Sequence, residues 1–269
     1  MSKDQTIDVV IPAHRKDLPT LPYCVKNAKK NIKNVGRVIV VSKTKLVDTA
    51  EWFDEAKYPF KKEDIAKTAD KIGHYGVGWY YQQLLKMYSP LVIPNISNNV
   101  LVLDSDSVFY KKAEFIDEKG RYLFNKSKEY KNFGTDDFVV SSRKFIKKVL
   151  PELNLNILER EGLKSSGVAH HMIFSKEIIM DLFARVEKIH KKDFWKVFMD
   201  TASEKDCYSA SEYELYFVFM LTYYKDKMKR RTLKYKNTHD ITFKKYLWES
   251  LRRKYHYCSY HNRNYQLKD

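Results

Sequence analysis

Three short runs rich in β-branched apolar residues frame this chain: Ile7 to Ile11, ended by Pro12, then Arg37 to Val41, then Val100 to Leu103. Short runs without polar alternation read as strands buried on both faces, the pattern of a parallel sheet. Parallel neighbours need crossovers of a dozen or more residues. The segments around Leu18 to Asn31 and Asp64 to Tyr88 supply that length with helix-compatible sequence. The expectation is an α/β fold with an open, twisted, mostly parallel sheet flanked by helices. In such sheets ligands gather beyond the carboxyl ends of the strands. Those ends read Pro12-Ala13-His14-Arg15, Ser42-Lys43 and Asp104-Ser105-Asp106.

Glycine is scarce, with eight in 269 residues against roughly 19 at an average usage of about 7 %. None of the patterns G-x-G-x-x-G, G-x-x-x-x-G-K-[ST] or G-x-S-x-G occurs, so a bound phosphate needs another anchor than a glycine-rich loop. Cys24, Cys207 and Cys258 are too few and too far apart for a disulfide framework or a Cys-x-x-Cys zinc site. The start, MSKDQTIDVVIP, lacks a basic stretch leading into an apolar one, and the run Leu215 to Leu221 is far short of a span. A soluble, cytoplasmic protein is expected.

Lys and Arg number 50 against 34 Asp and Glu, a net charge of +16. The excess is uneven: residues 223–269 hold 14 basic against 4 acidic residues, and eight of the twenty tyrosines. No repeat or Pro/Gly/Ser linker divides the chain. One domain is therefore expected, with residues 1–222 as its body and 223–269 as a basic, helical extension packed on it. Such a segment suits an anionic ligand, an anionic membrane surface touched peripherally, or a nucleic-acid backbone.

The segment Asn99-Val100-Leu101-Val102-Leu103-Asp104-Ser105-Asp106-Ser107-Val108-Phe109 runs an apolar strand straight into two carboxylates one residue apart. Where the chain turns, Asp104 and Asp106 can converge on one cation. Two hard oxygen ligands in an open site suit Mg²⁺ or Mn²⁺. The bland reading is a β-turn whose aspartates bond their own backbone. Two enzyme classes use the arrangement: haloacid-dehalogenase-like phosphatases, with Asp104 as nucleophile, and nucleotide-sugar glycosyltransferases. The phosphatase pattern places its aspartates on the first strand, and needs a later acidic pair at a strand end. Here two strands precede the motif and no such pair follows Ser141.

Taken in order, DVVIPAHRKD, GWYYQQLLKMY, VLVLDSDSVF, HHMIF and SEYELYFVF resemble a family of nucleotide-sugar glycosyltransferases with the GT-A fold. The resemblance runs from about Ile7 to Asp240. It implies a GT-A-like fold, a nucleoside diphosphate sugar as donor, a glycan, lipid or protein as acceptor, and Mn²⁺ or Mg²⁺ on Asp104 and Asp106. It also implies a late histidine as third metal ligand, for which His239 is the candidate. A metal-bridged donor accounts for the basic charge, so nucleic acid is not the expected partner. A non-catalytic binder of nucleic acid or of an anionic surface is the rival from another class.

The remaining candidates follow from local pattern. In the helix around Gly78 to Met87, Trp79, Gln82, Gln83 and Lys86 share the polar face at i, i+3, i+4 and i+7. Gln82, Gln83 and Lys86 join Pro12, His14, Arg15, Lys43 and Ser105 as candidate donor contacts, and Trp79 as a pocket residue. Arg230 and Arg231 are further counter-charges for a leaving diphosphate. Ser211 and Glu214 fit the S-x-x-E capping box, which leaves Glu212 without a structural role and makes it the first candidate for general base. Capping by Ser209 would exchange the two glutamates' roles. His170 and His171, on a strand from Val168 to Phe174, point to opposite faces, so one of them reaches the acceptor pocket.

Overall fold

The computed structural model describes residues 5–69, 76–126, 137–156 and 167–261. The three apolar runs are strands: β1 (Ile7–Pro12), β2 (Val35–Ser42) and, after β3 (Glu51–Asp54), β4 (Asn99–Leu103). Three helices separate them: α1 (Leu21–Asn31), α2 (Lys62–Ala69) and α3 (Val77–Val92). Then come β5 (Ser107–Phe109), β6 (Tyr122–Asn125), α4 (Asp137–Val149) and β7 (His171–Ser175). The helices α5 (Lys176–His190), α6 (Phe194–Ala202) and α7 (Glu212–Tyr223) follow. Last are β8 (Met228–Arg231), β9 (Tyr235–His239), α8 (Phe243–Arg252) and β10 (Tyr257–His261).

The central sheet has the order β3-β2-β1-β4-β7, with β7 alone antiparallel. Val9 to Ile11, Ile39 to Val41 and Val100 to Leu103 are all but free of solvent, which explains why these strands read as unbroken apolar runs. The chain winds outward through β1, β2 and β3, then returns past β1 to β4. In open α/β sheets ligands bind beyond the carboxyl ends at such a reversal, here those of β1 and β4. Helix α3 packs on β1 beside α2, α5 and α7, while α1 packs against β2 and β5.

Residues 223–261 are woven into the same body. The expected helix is α8, but the segment also supplies β8, which pairs with β6, and the pair β9 and β10, which joins β5 in a second sheet. Residues 262–269 lie outside the described residues. Among the described residues no helix is long and apolar enough to cross a membrane.

Candidate active site

Beyond β4 the chain turns at once. The Ser107 N–H donates to the Asp104 carbonyl at 3.0 Å, closing a β-turn over Asp104, Ser105 and Asp106. The bland reading would have the carboxylates bond this turn's own backbone, but they reach elsewhere. Asp104 Oδ1 accepts from Lys86 Nζ at 2.7 Å, and Asp106 Oδ1 accepts from Ser259 Oγ at 3.0 Å. Asp106 Oδ2 lies 3.5 Å from His261 Nδ1. The turn is fixed by its neighbours: the Asp104 N–H donates to the His170 carbonyl at 3.0 Å, and the Tyr260 N–H to the Asp106 carbonyl at 3.0 Å.

Lys86 links two helices through this turn. Its ammonium also meets Glu212 Oε1 at 3.0 Å and stands 4.5 Å from the centre of the Tyr213 ring. Gln83 Oε1 accepts from the Glu212 N–H at 2.9 Å, while the buried Gln83 Nε2 has no partner. Burial works against the Lys86 charge, yet Asp104, Tyr213 and Glu212 hold its pKa well above the ordinary lysine value. Burial pushes the Glu212 carboxyl up from the usual range, opposed by Lys86. Asp106 is also raised, by burial and by the charge of Asp104, against the pull of His170 and His261.

This placement corrects the expectation for α3. The face carrying Gln83 and Lys86 is buried, because it packs against α7 and the Asp104 turn instead of facing water. Gln82 and Trp79 are half-buried, with Trp79 edge-on to Tyr80. Ser211 is the N-cap of α7, its hydroxyl accepting from the Glu214 N–H at 3.3 Å. That register puts Glu212 on Lys86, while Glu214 Oε2 accepts from the Gly167 N–H at 2.9 Å.

The strand begins at His171 and not at the expected Val168, and the two histidines lie in different surroundings. His171 is buried among Phe109, Phe115 and Tyr257, with neither ring nitrogen hydrogen-bonded, and burial lowers its pKa well below the ordinary value. His170 is the one at the site, with Nδ1 3.3 Å from the Tyr257 hydroxyl and its ring 5.7 Å from that of His261.

The late histidine beside the carboxylates is His261 and not His239. The two are register partners on β10 and β9, and His239 Nδ1 lies 3.3 Å from the His261 carbonyl oxygen. Arg231 is turned away too. It stacks 4.5 Å over Phe115 and its guanidinium bonds the Glu114 carbonyl, because β8 runs along β6. Arg230 lies over Phe217.

Pro12 is buried in β1, whereas His14 and Arg15 are exposed where the chain leaves it. His14 caps a single 3-10 turn, Arg15–Asp17, in reciprocal bonds with Asp17. Exposed Lys43 lies by Glu55, whose raised carboxyl pKa it partly offsets. Ser105 is buried in the turn itself.

Among the described residues, Asp104 and Glu212 share the Lys86 ammonium, while Asp106 meets His261. The Asp104 and Asp106 carboxylates are hard oxygen donors of the kind a divalent cation takes. Among the described residues no three His, Cys, Asp or Glu side chains gather in a metal-holding arrangement. Two carboxylates alone match a Mg²⁺-like ion, which keeps waters and takes phosphate oxygens in its other positions. Ser259 and Tyr213 were not among the sequence candidates, and His261 could be read from sequence only with His256 and Cys258, as a zinc cluster lacking a fourth ligand. His256, Cys258 and His261 do not form a cluster: His256 Nδ1 accepts from the Lys234 N–H, and Cys258 packs with Tyr110 and Tyr260.

The chain matches the family of unknown function DUF6492 over residues 23–250. It has no match among curated proteins. Among solved structures it is similar to the bifunctional glycosyltransferase WbbM in its apo form, at 14 % identity and a TM-score of 0.47. That alignment covers 99 % of this chain and 46 % of WbbM, so the chain spans less than half of that protein. It is also similar to the mannosyltransferase Ktr4p from S. cerevisiae, at 12 % identity and a TM-score of 0.49, covering 86 % of this chain and 72 % of that one.

Proposed function

We propose that this chain, which belongs to the DUF6492 family, is a glycosyltransferase that takes its sugar from a nucleoside diphosphate donor. The observation that supports the reading is the Asp104–Asp106 turn at the carboxyl edge of β4, where two carboxylates stand one residue apart, held by Lys86 on one side and by Ser259 and His261 on the other. Asp104 and Asp106 would hold Mg²⁺ or Mn²⁺. Bound there, the cation supplies charge neutralisation for a departing diphosphate.

The chain's own residues prepare that site. Lys86 fixes one Asp104 oxygen and leaves the other for a ligand. Ser259 and His261 orient Asp106 from the opposite side. His14 and Arg15, exposed beyond β1, contact the donor, and His170 faces the acceptor side. Glu212 is bound to Lys86 and Glu214 to the Gly167 N–H, so in this proposal both are positioning residues and not the general base.

The test is thermal melting against a panel of nucleoside diphosphate sugars, with and without Mn²⁺. One donor at a hundredfold excess over its Kd should stabilise by about 2.7 kcal/mol, a rise of roughly 5 to 10 °C, and only when metal is present. Asp106→Asn should remove that rise. A flat response to every donor, or turnover of a phosphomonoester through Asp104, would overturn the reading.

A further inference from the structure

We propose that helix α8 docks this protein on an anionic lipid bilayer, lying in the plane of the interface. Its sequence, FKKYLWESLR, folds with its apolar side outward. Phe243 is 66 % exposed, Leu247 46 %, Trp248 58 % and Leu251 72 %. Four of the nine large apolar side chains exposed among the described residues thus fall within ten positions. At about 100° per residue they sweep one arc of roughly 140°. The side turned to the protein carries Glu249, buried near Lys236, and Tyr246, which packs against Tyr23 and Tyr110.

A surface helix of a globular domain carries its apolar stripe toward the core. Here most of the large apolar side chains face outward, and Asn27 Nδ2 donates to the Tyr246 hydroxyl on the inner side at 3.2 Å. The Thr242 hydroxyl accepts from the Lys245 N–H at 3.2 Å, and Arg253 ends the helix in a left-handed conformation.

Charge selects the occupant. From Phe243 to Lys254 there are five basic residues and one acid, and that acid, Glu249, is the buried one. Lys244, Arg252, Arg253 and Lys254 are exposed around the apolar arc, and the Arg252 guanidinium stands 5.2 Å from the Trp248 ring. An apolar face with Trp, Phe and Leu, rimmed by Lys and Arg, matches a bilayer interface. The side chains enter the acyl boundary while the cations meet anionic headgroups. A nucleic-acid backbone would engage the cations and leave Phe243, Leu247 and Leu251 in water.

Docking also brings the candidate active site near the lipid. Helix α8 starts four residues after His239, whose register partner His261 touches Asp106.

The test is flotation of the full chain with phosphatidylcholine vesicles, with and without phosphatidylserine. The protein should float with the phosphatidylserine vesicles and far less with pure phosphatidylcholine. Leu247→Glu with Leu251→Glu should lower the bound fraction by about tenfold, with an unchanged melting temperature because both positions are exposed. Lys244→Glu with Arg252→Glu should weaken binding and flatten its salt dependence. Asp106→Asn should float like the parent, which separates this inference from the transfer reaction. Four results would overturn it: no flotation with anionic vesicles at low salt, flotation indifferent to the leucine changes, displacement by an RNA oligonucleotide without regard to them, or a dimer in sedimentation that those changes dissolve.

Discussion

Replacing Lys86 by Met removes the ammonium that pairs with Asp104 and Glu212. The Glu212 side chain is 6 % exposed and sits 3.0 Å from Lys86, so losing the cation strands a desolvated carboxylate. The Asp104 side chain is 25 % exposed and can recover water, so most of the penalty falls on Glu212. Removing one partner of a buried pair costs about 3 to 5 kcal/mol, a fall in Tm of about 10 °C for a chain of this size. The deficit has a pH signature. Glu212 already binds its proton more tightly folded than unfolded, and Lys86→Met strengthens that preference. From the ordinary carboxyl pKa of about 4.3 up to the raised folded value, the native state carries more protons than the unfolded one, so stability falls as pH rises. Urea melts of Lys86→Met should therefore show a larger deficit at pH 8 than at pH 5, and Glu212→Gln added to it should recover most of the loss. A Lys86→Met protein within about 1 kcal/mol of the parent at pH 8, or a double variant no better than the single, would refute the account of a buried, charge-sharing cluster.

Other outcomes follow from the same geometry. Ser259→Ala removes the hydroxyl on Asp106 Oδ1 and should weaken Mn²⁺ binding by about ten- to a hundredfold, read by isothermal titration, with little change in melting. His261→Ala should reduce donor-dependent thermal stabilisation while His239→Ala leaves it intact; the reverse order would restore His239 as the site histidine. His171→Phe should be near neutral at pH 8 and protective in acid. The unfolded histidine takes a proton near pH 6.5 that the buried ring refuses, so stability falls as pH drops through that value, and the variant should lose about one proton's worth of slope. Gly167→Ala should destabilise by about 1 to 3 kcal/mol, because its added carbon would lie 2.4 Å from the Phe217 side chain. Equilibrium urea unfolding measures it.

The sheet was legible wherever local composition decides structure. Strands β1, β2 and β4 are buried on both faces, so every residue reports the same environment. The register of α7 was legible from Ser211 because a cap is a contact three residues long. The α3 face misled for a related reason: a polar stripe at helical spacing means water in most helices, and nothing within the helix reveals that Asp104 and Glu212 wait opposite Lys86. Ser259 was invisible because it reaches Asp106 across 153 positions, through the pairing of β10 with β5. The outward apolar face of α8 could be written as a wheel from sequence, but its orientation depends on Tyr23 and Tyr110, which lie far away in the chain.

Stability alone does not account for the Lys86 cluster. Helices α3 and α7 already pack on each other, and Tyr80 and Leu84 of α3 and Leu215 of α7 have no exposed surface. Well-packed hydrophobic residues in place of a buried ion pair are often as stable as the pair or more so. What Lys86 adds is direction: it pins one Asp104 oxygen from the α3 side while Ser259 pins one Asp106 oxygen from β10, so the turn presents both carboxylates in a fixed relation. Lys86→Met with Glu212→Leu should therefore melt close to the parent and yet lose metal-dependent donor stabilisation. That split between stability and binding distinguishes a positioning role from a purely structural one. Loss of both together would return the cluster to the core.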